Sequence, residues 1–263
     1  MNSNKDQILS RKDNFIGWMI INNPERRNAI SFAMREQMTR VFEEFDNDPQ
    51  VRVMIIRGSG GKAFISGADI SEFKNIRNNF DAEKLYAKAS EKMTDAMIAF
   101  KKPIIAMIEG YCVGGGVATA IGADIRVASE NTKYGIPAGR LGLAYGFDNL
   151  RQLVDLVGPA NAKMILFSAD MFDASKALQI GLVNNVVPQD ELESTVLELA
   201  NKIANNAPLT VCASKETVKH ILRPEVRDLK KLEELAKECF DSMDYKEGRE
   251  AFMEKRKPRF IGK

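Results

Sequence analysis

The amino-acid sequence predicts an α/β domain built on a largely parallel sheet, extended by a helical C-terminal part. Three observations predict it. Short, continuous apolar runs rich in β-branched residues recur at 15–22, 51–57, 104–110 and 124–129. Such runs mark strands buried on both faces. Segments with helical spacing separate them. After about residue 147 the strand signal fades and helical segments dominate.

Taken in order, FIGWMIIN (15–22) predicts a strand ended by Asn23-Pro24. Phe32, Met34, Met38, Val41, Phe42 and Phe45 share one face of a helix over 31–46, with Ser31 as N-cap. VRVMIIR (51–57) predicts a buried strand, followed by a Gly-rich loop from Gly58 to Gly67. A long helix over 81–100 stops before Pro103. IIAMIEG (104–110) and DIRVAS (124–129) predict two more strands, with a helix at 117–122 between them. Helices are then expected over 149–157, 160–168, 173–180, 190–205, 210–221, 225–241 and 245–256, with VNNVV (183–187) extended. We divide the chain into a core of residues 1–200 and a helical region of 201–263. Trp18 is expected in the core, Asp124 as a structural hydrogen-bonding residue, and His220, the one histidine, as a charge partner near a helix end.

Composition excludes several classes. The 263 residues carry 38 Lys+Arg against 36 Asp+Glu, a net charge of +2. That balance argues against a nucleic-acid partner or a membrane surface. The basic cluster Lys255-Arg256-Lys257 with Arg259 suits a solvated helix end. Cys112, Cys212 and Cys239 are odd in number and show no metal-binding spacing, so free thiols in a reducing compartment are expected. The polar N-terminus has no apolar signal core, and no apolar stretch reaches the roughly 20 residues that span a bilayer. A soluble, cytoplasmic protein without metal is the expectation.

Two glycine-containing turns carry the chemistry. AFISGADI (63–70) follows the 51–57 strand and is expected to open a helix at Asp69; EGYCVGGGVATA (109–120) joins a strand to a helix. Glycine admits close backbone approach, and a helix N-terminus presents unpaired N–H groups. Two such turns side by side can aim two N–H donors at one oxygen, which is an oxyanion hole. Each turn taken singly also suits a tight strand-to-helix connection. A dinucleotide or phosphate loop is disfavoured, because no G-x-G-x-x-G stands at the first such turn and no GK[ST] occurs.

AFISGADI and KPIIAMIEGYCVGGG resemble the two signature turns of the crotonase (enoyl-CoA hydratase/isomerase) family. The resemblance extends to RRNAI (26–30), YGIPAGRLGLAYG (134–146), IGLVNNVV (180–187) and EGREAFMEKRKPRF (247–260), in order along the chain. It implies a spiral of ββα turns with a helical C-terminal region that forms trimers, often paired into hexamers. It implies an acyl-CoA thioester as ligand and no cofactor beyond the coenzyme A carried by that substrate. The thioester oxygen would lie between the N–H groups of Ala68 and Gly115. Arg27, Ala29, Ser66, Gly67, Asp69, Ile70 and Ile136 would surround the coenzyme A and acyl portions. Phe252 and Lys255 would reach the coenzyme A from the C-terminal helix, in some members across subunits.

The sequence departs from a family hydratase at two positions. The glutamate three residues after the middle glycine is Ala118, and the glutamate of the x-P-E motif is Ala138. A general acid–base group contributes about 100- to 10,000-fold and an oxyanion donor about 100- to 1000-fold. Enolate stabilisation should therefore survive while hydration weakens. The loop and C-terminal tail look most like methylmalonyl-CoA decarboxylase within the family. Loss of CO₂ needs no base at carbon, and Tyr145 would contact the acyl end in that chemistry. An ordinary half-buried loop tyrosine is the other reading. Decarboxylase-like chemistry on a malonyl-type thioester leads narrowly. The alternatives are hydration or isomerisation with non-standard residues such as Asp148 or Tyr145, and a catalytically silent subunit that binds coenzyme A. RNA binding through the basic tail is disfavoured by the near-neutral charge.

Overall fold

The computed structural model describes residues 7–69 and 80–263, apart from the side chains of 80–87 and 226. The helix expected to open at Asp69, and Ile70 with it, lie outside the described residues beyond Asp69 itself.

The main sheet has six strands: β1 (Ile8–Asp13), β2 (Ile16–Ile21), β3 (Val53–Gly58), β5 (Ile104–Ile108), β7 (Ile125–Ser129) and β10 (Asn185–Val187), in that spatial order. β1 pairs antiparallel with β2, and all other neighbours are parallel. A smaller sheet stacks β4 (Ala63–Ile65), β6 (Tyr111–Val113), β8 (Lys133–Gly135) and β9 (Phe172–Asp173). The order of both sheets follows the chain. From β3 to β8 each pass lays one strand on the large sheet and the next on the small one, and a helix follows. This is the spiral that the sequence resemblance implied.

Nine helices complete the described chain: α1 (Phe32–Asn47), α2 (Phe80–Ala99), α3 (Gly115–Gly122), α4 (Phe147–Ser168), α5 (Ala174–Gln179), α6 (Leu192–Ala204), α7 (Pro208–Leu222), α8 (Leu229–Asp241) and α9 (Met243–Glu254). Ser31 caps α1 as expected, its hydroxyl accepting from Met34 N. α4 merges the two helices expected over 149–157 and 160–168 across a kink at Gly158, whose φ is 75° and which precedes Pro159.

Alternation along the strands divides the core in two. Met54, Ile56, Ile104, Ala106 and Ile108 face the layer shared with α1 and the small sheet. Val53, Ile55, Ile105, Met107 and Val127 face Leu192, Val196, Ala200 and Ala204 of α6. Those four residues recur every fourth position, so they form one stripe of that helix. The division placed at residue 200 therefore cuts a helix that covers the sheet. The core extends through Ala204, and the C-terminal helices begin at Pro208. Arg52 ties them back by donating to Ala204 O at 3.0 Å and Phe260 O at 2.8 Å.

Candidate active site

β4 and β6 run parallel, with Ala63 paired to Tyr111 and Ile65 to Cys112, and the register shifts between them. Three residues of β4 thus oppose two of β6, a bulge at Phe64. Parallel neighbours end on the same side, so the turns that follow them, at Ser66-Gly67-Ala68 and Gly114-Gly115, emerge together.

Backbone hydrogen bonds orient the first turn. Ile30 N donates to Gly67 O at 2.8 Å and Asp69 N donates to Ile30 O at 3.0 Å. Ile30 therefore bridges Ala68 in parallel fashion. In that pattern the N–H and C=O of Ala68 itself point away from Ile30. Gly115 begins α3, with Gly114 as N-cap, and a first helical N–H has no partner within its helix. A Cβ built on Gly115 would lie 3.9 Å from Ala68 N, which measures how closely the turns approach. Gly116 serves packing instead: its Cβ would stand 2.1 Å from Ile65 O.

Ala68 and Gly115 border one cavity of about 150 Å³, whose wall includes Ile30, Met93, Met97, Ala118, Asn149 and Gln152. That volume suits a small acyl group. Among the described lining residues there is no carboxylate and no histidine, and Arg35 is the ionisable one. Arg35 is buried, and its guanidinium donates to Ile30 O at 3.2 Å and Ser31 O at 2.9 Å. It thereby fastens the segment that positions Ala68. Thr119 donates its hydroxyl to Gly115 O at 3.0 Å.

The structure brings some expected residues together and separates others. Ser66 N donates to Arg27 O at 3.2 Å, and the Arg27 guanidinium lies 5.0 Å from the Tyr111 ring centroid. Ala29 is buried in the same segment, and Gly67 lines the cavity. Asp69 is buried and paired with the Arg26 guanidinium, which braces the turn. Ile136 is fully buried in the core and does not line the cavity. Phe252 is 83% exposed and borders a separate depression with Phe240, Tyr245 and Phe260. Lys255 caps α9 in a left-handed conformation, with φ 57°.

Two expectations for catalytic side chains are corrected. Asp148 is exposed and outside the cavity wall. It sits one residue, about 100° of helical rotation, from Asn149, and the facing pair is Asn149 and Gln152 at i and i+3. Tyr145 also lies outside the wall; it is half-buried, and its hydroxyl donates to Gly114 O at 3.2 Å. Burial pushes that hydroxyl's pKa up, so it stays neutral. Sequence reasoning missed Gln152 and Arg35. Arg35 carried a signal, being a charge inside the apolar arc of α1.

Three comparisons with known proteins bear on this site. Residues 11–263 match the family model described as enoyl-CoA hydratase/isomerase. The short-chain-enoyl-CoA hydratase of Clostridium acetobutylicum is 37% identical over 253 residues, covering 96% of this chain and 96% of the relative. The crotonyl-CoA hydratase of Syntrophomonas wolfei is 35% identical over 259 residues, covering 98% and 99%. The crystal structure of an enoyl-CoA hydratase/carnithine racemase from Magnetospirillum magneticum superposes with a TM-score of 0.94 at 35% identity, covering 98% of this chain and 97% of that one.

Proposed function

Since this chain belongs to the enoyl-CoA hydratase/isomerase family, we propose that it binds a short acyl-CoA thioester and holds the carbonyl oxygen between the N–H groups of Ala68 and Gly115. One observation carries the proposal: two backbone amides, unpaired within their own segments, border the same small cavity. Negative charge that develops on the oxygen would meet both donors, which need no reorganisation.

Within that class we favour hydration of a short enoyl thioester, or its reversal, with non-standard acid–base groups. The names of the hydratase relatives support it, and they weigh against the decarboxylase as the first choice. Asn149 and Gln152 would hold a water at the cavity wall; its oxygen would bond to the β-carbon as the C=C π bond opens toward the carbonyl held by the two amides, and the proton it loses would be balanced by one gained at the α-carbon. Ala118 stands in the wall and Ala138 is half-buried, so neither family glutamate position can move the proton, and the described wall residues include no carboxylate. Turnover should then trail a two-glutamate hydratase by about 10,000-fold or more, if each acid–base group contributes as is usual.

A second reading is loss of CO₂ from a malonyl-type thioester. The described wall residues support it: they include no carboxylate to repel an anionic substrate, and the departing CO₂ would leave an enolate on the same two amides.

A panel of enoyl-, malonyl- and methylmalonyl-CoA substrates tests the proposal. Water addition to crotonyl-CoA supports the first reading. CO₂ release without hydration moves the assignment to the second. Binding of coenzyme A thioesters without any turnover would leave a silent binding subunit and overturn the enzymatic proposal.

Assembly into trimers or hexamers belongs to the same proposal. Phe240, Phe252 and Met253 expose 63%, 83% and 80% of their surface on the C-terminal helices. A subunit contact there would cover them and place Phe252 and Lys255 against a neighbour's coenzyme A. A monomer by light scattering at micromolar concentration would refute it. No helix among the described residues is long and apolar enough to cross a membrane. The cytoplasmic setting is proposed from the three free cysteines, which suit a reducing compartment.

A further inference from the structure

We infer that Tyr145 is a positioning residue for the Gly115 amide, acting through the peptide that joins Gly114 to Gly115. The inference rests on the oxyanion-hole reading above. Gly114 O and Gly115 N–H are the two ends of one peptide unit. Whatever holds the oxygen therefore aims the N–H.

Gly114 cannot hold that peptide by itself. Its φ of 54° and ψ of −111° fall where glycine is at ease, and nothing lies within 4 Å of the place a Cβ would take. Bonds to its surroundings must fix the orientation: one holds Gly114 through the N–H of the preceding peptide, and two reach the oxygen of the Gly114–Gly115 peptide itself. Gly114 N donates to Gly135 O at 2.8 Å, while Gly114 O accepts from Ala118 N at 3.1 Å and from the Tyr145 hydroxyl at 3.2 Å. The first comes from the neighbouring strand β8 and the second from the first turn of α3. The third is a side chain, set by the loop before α4.

The same bond acts electronically. Resonance couples the peptide oxygen to its nitrogen. A hydrogen bond donated to Gly114 O withdraws density from the nitrogen and makes Gly115 N–H a stronger donor, as in any hydrogen-bonded chain. At 3.2 Å the contact is longer than the usual O–H···O distance of about 2.7–2.8 Å. It has room to shorten as charge grows on the thioester oxygen and passes through the peptide. The Tyr145 contribution thus rises toward the transition state, which is where it alters rate. The phenol remains protonated because burial pushes its pKa up.

Tyr145→Phe keeps the ring and removes the donor. The readout is the carbonyl stretch of ¹³C-labelled butyryl-CoA, a saturated thioester, bound to the native enzyme and the variant. The native enzyme should lower the stretch relative to free thioester, and the variant should lower it by about 5–15% less, because one of two donors weakens by about 10–30%. An oxyanion donor worth about 100- to 1000-fold, weakened by that fraction, costs roughly two- to eightfold in kcat with KM little changed. Replacing Tyr145 with 3-fluorotyrosine, a stronger donor of nearly the same shape, should move the stretch the other way and covers the case of a variant that fails to fold. A native stretch that does not shift on binding overturns the oxyanion hole and this inference with it. A shifted native stretch matched by all three proteins overturns the role of Tyr145 alone.

Discussion

Replacing Gly115 with proline deletes the proposed donor while leaving the fold in place. Gly115 is the first residue of α3, where proline is readily accepted because its missing N–H has no helical partner. The added Cβ would meet its nearest neighbours, Ala68 N and Gly67, at 3.9 Å, an ordinary contact. The residue before a proline is normally confined to extended backbone. Gly114, at φ 54° and ψ −111°, occupies the mirror image of that region, which is equally open to an achiral residue. Gly115 N–H donates to no backbone carbonyl among the described residues, so no such bond is lost, and a stiffer unfolded chain adds about 0.4–1 kcal/mol. The melting temperature should hold or rise by a few degrees. Catalysis should respond in the opposite way. Loss of one oxyanion donor costs about 100- to 1000-fold. The proline Cδ, about 1.5 Å from the nitrogen, also occupies the path to an oxygen normally seated about 2.9 Å away. A fall of about 1000-fold or more in kcat/KM is therefore expected, measured on the thioester that the substrate panel identifies. A folded variant of unchanged melting temperature that retains kcat/KM within tenfold would refute the assignment of that amide.

The neighbouring Gly116→Ala should do the reverse, since its methyl would stand 2.1 Å from Ile65 O. Overpacking against backbone predicts a loss of about 1–3 kcal/mol or more by denaturant unfolding, and a change within experimental error would show that α3 can shift. Ala118→Glu with Ala138→Glu should raise crotonyl-CoA hydration by about 100-fold or more; no increase would mean that proton transfer does not limit the reaction. The C-terminal tail should resist acid. Hydrogen bonds from the Arg256 side chain and the Arg259 N–H lower the Glu247 pKa to about 2. A depressed carboxylate contributes its full stability above the ordinary value of 4.5 and loses it as pH falls through about 2. Slow amide exchange at Arg259 should persist at pH 3 and disappear at neutral pH in Glu247→Gln; loss of protection well above pH 4 in the parent would contradict the pairing.

What the sequence made legible follows from burial. β2, β3, β5 and β7 are covered on both faces and stand out as apolar runs. β1 escaped notice because all but Ile8 of its residues are exposed, leaving charges at Arg11, Lys12 and Asp13. The small sheet was missed for another reason: strands of two or three residues, such as β9 at Phe172–Asp173, carry no period to detect. The two signature turns were recognisable, but their juxtaposition depends on β4 pairing with β6, a non-local contact. Asp148 stands out in the sequence because a carboxylate can move a proton, whereas Asn149 beside it gives no such signal. Only the rotation of α4 reveals which of the two faces the cavity. Tyr145 was expected at the acyl end, but its hydroxyl turns to Gly114 O, a contact that its place in the sequence does not reveal.

The bulge at Phe64 has a consequence for how this site can change. Both proposed donors are main-chain atoms, so no substitution at position 68 or 115 other than proline removes them outright. Their spacing is inherited from the pairing of β4 with β6. Residues that never touch a ligand, such as the fully buried Phe64, Ile65 and Cys112, therefore set the span between the two amides. The span acts as a mechanical dimension of the sheet. The cavity wall can exchange glutamate for alanine and alter the reaction while that dimension is kept. A repacked bulge could detune catalysis with every wall residue intact.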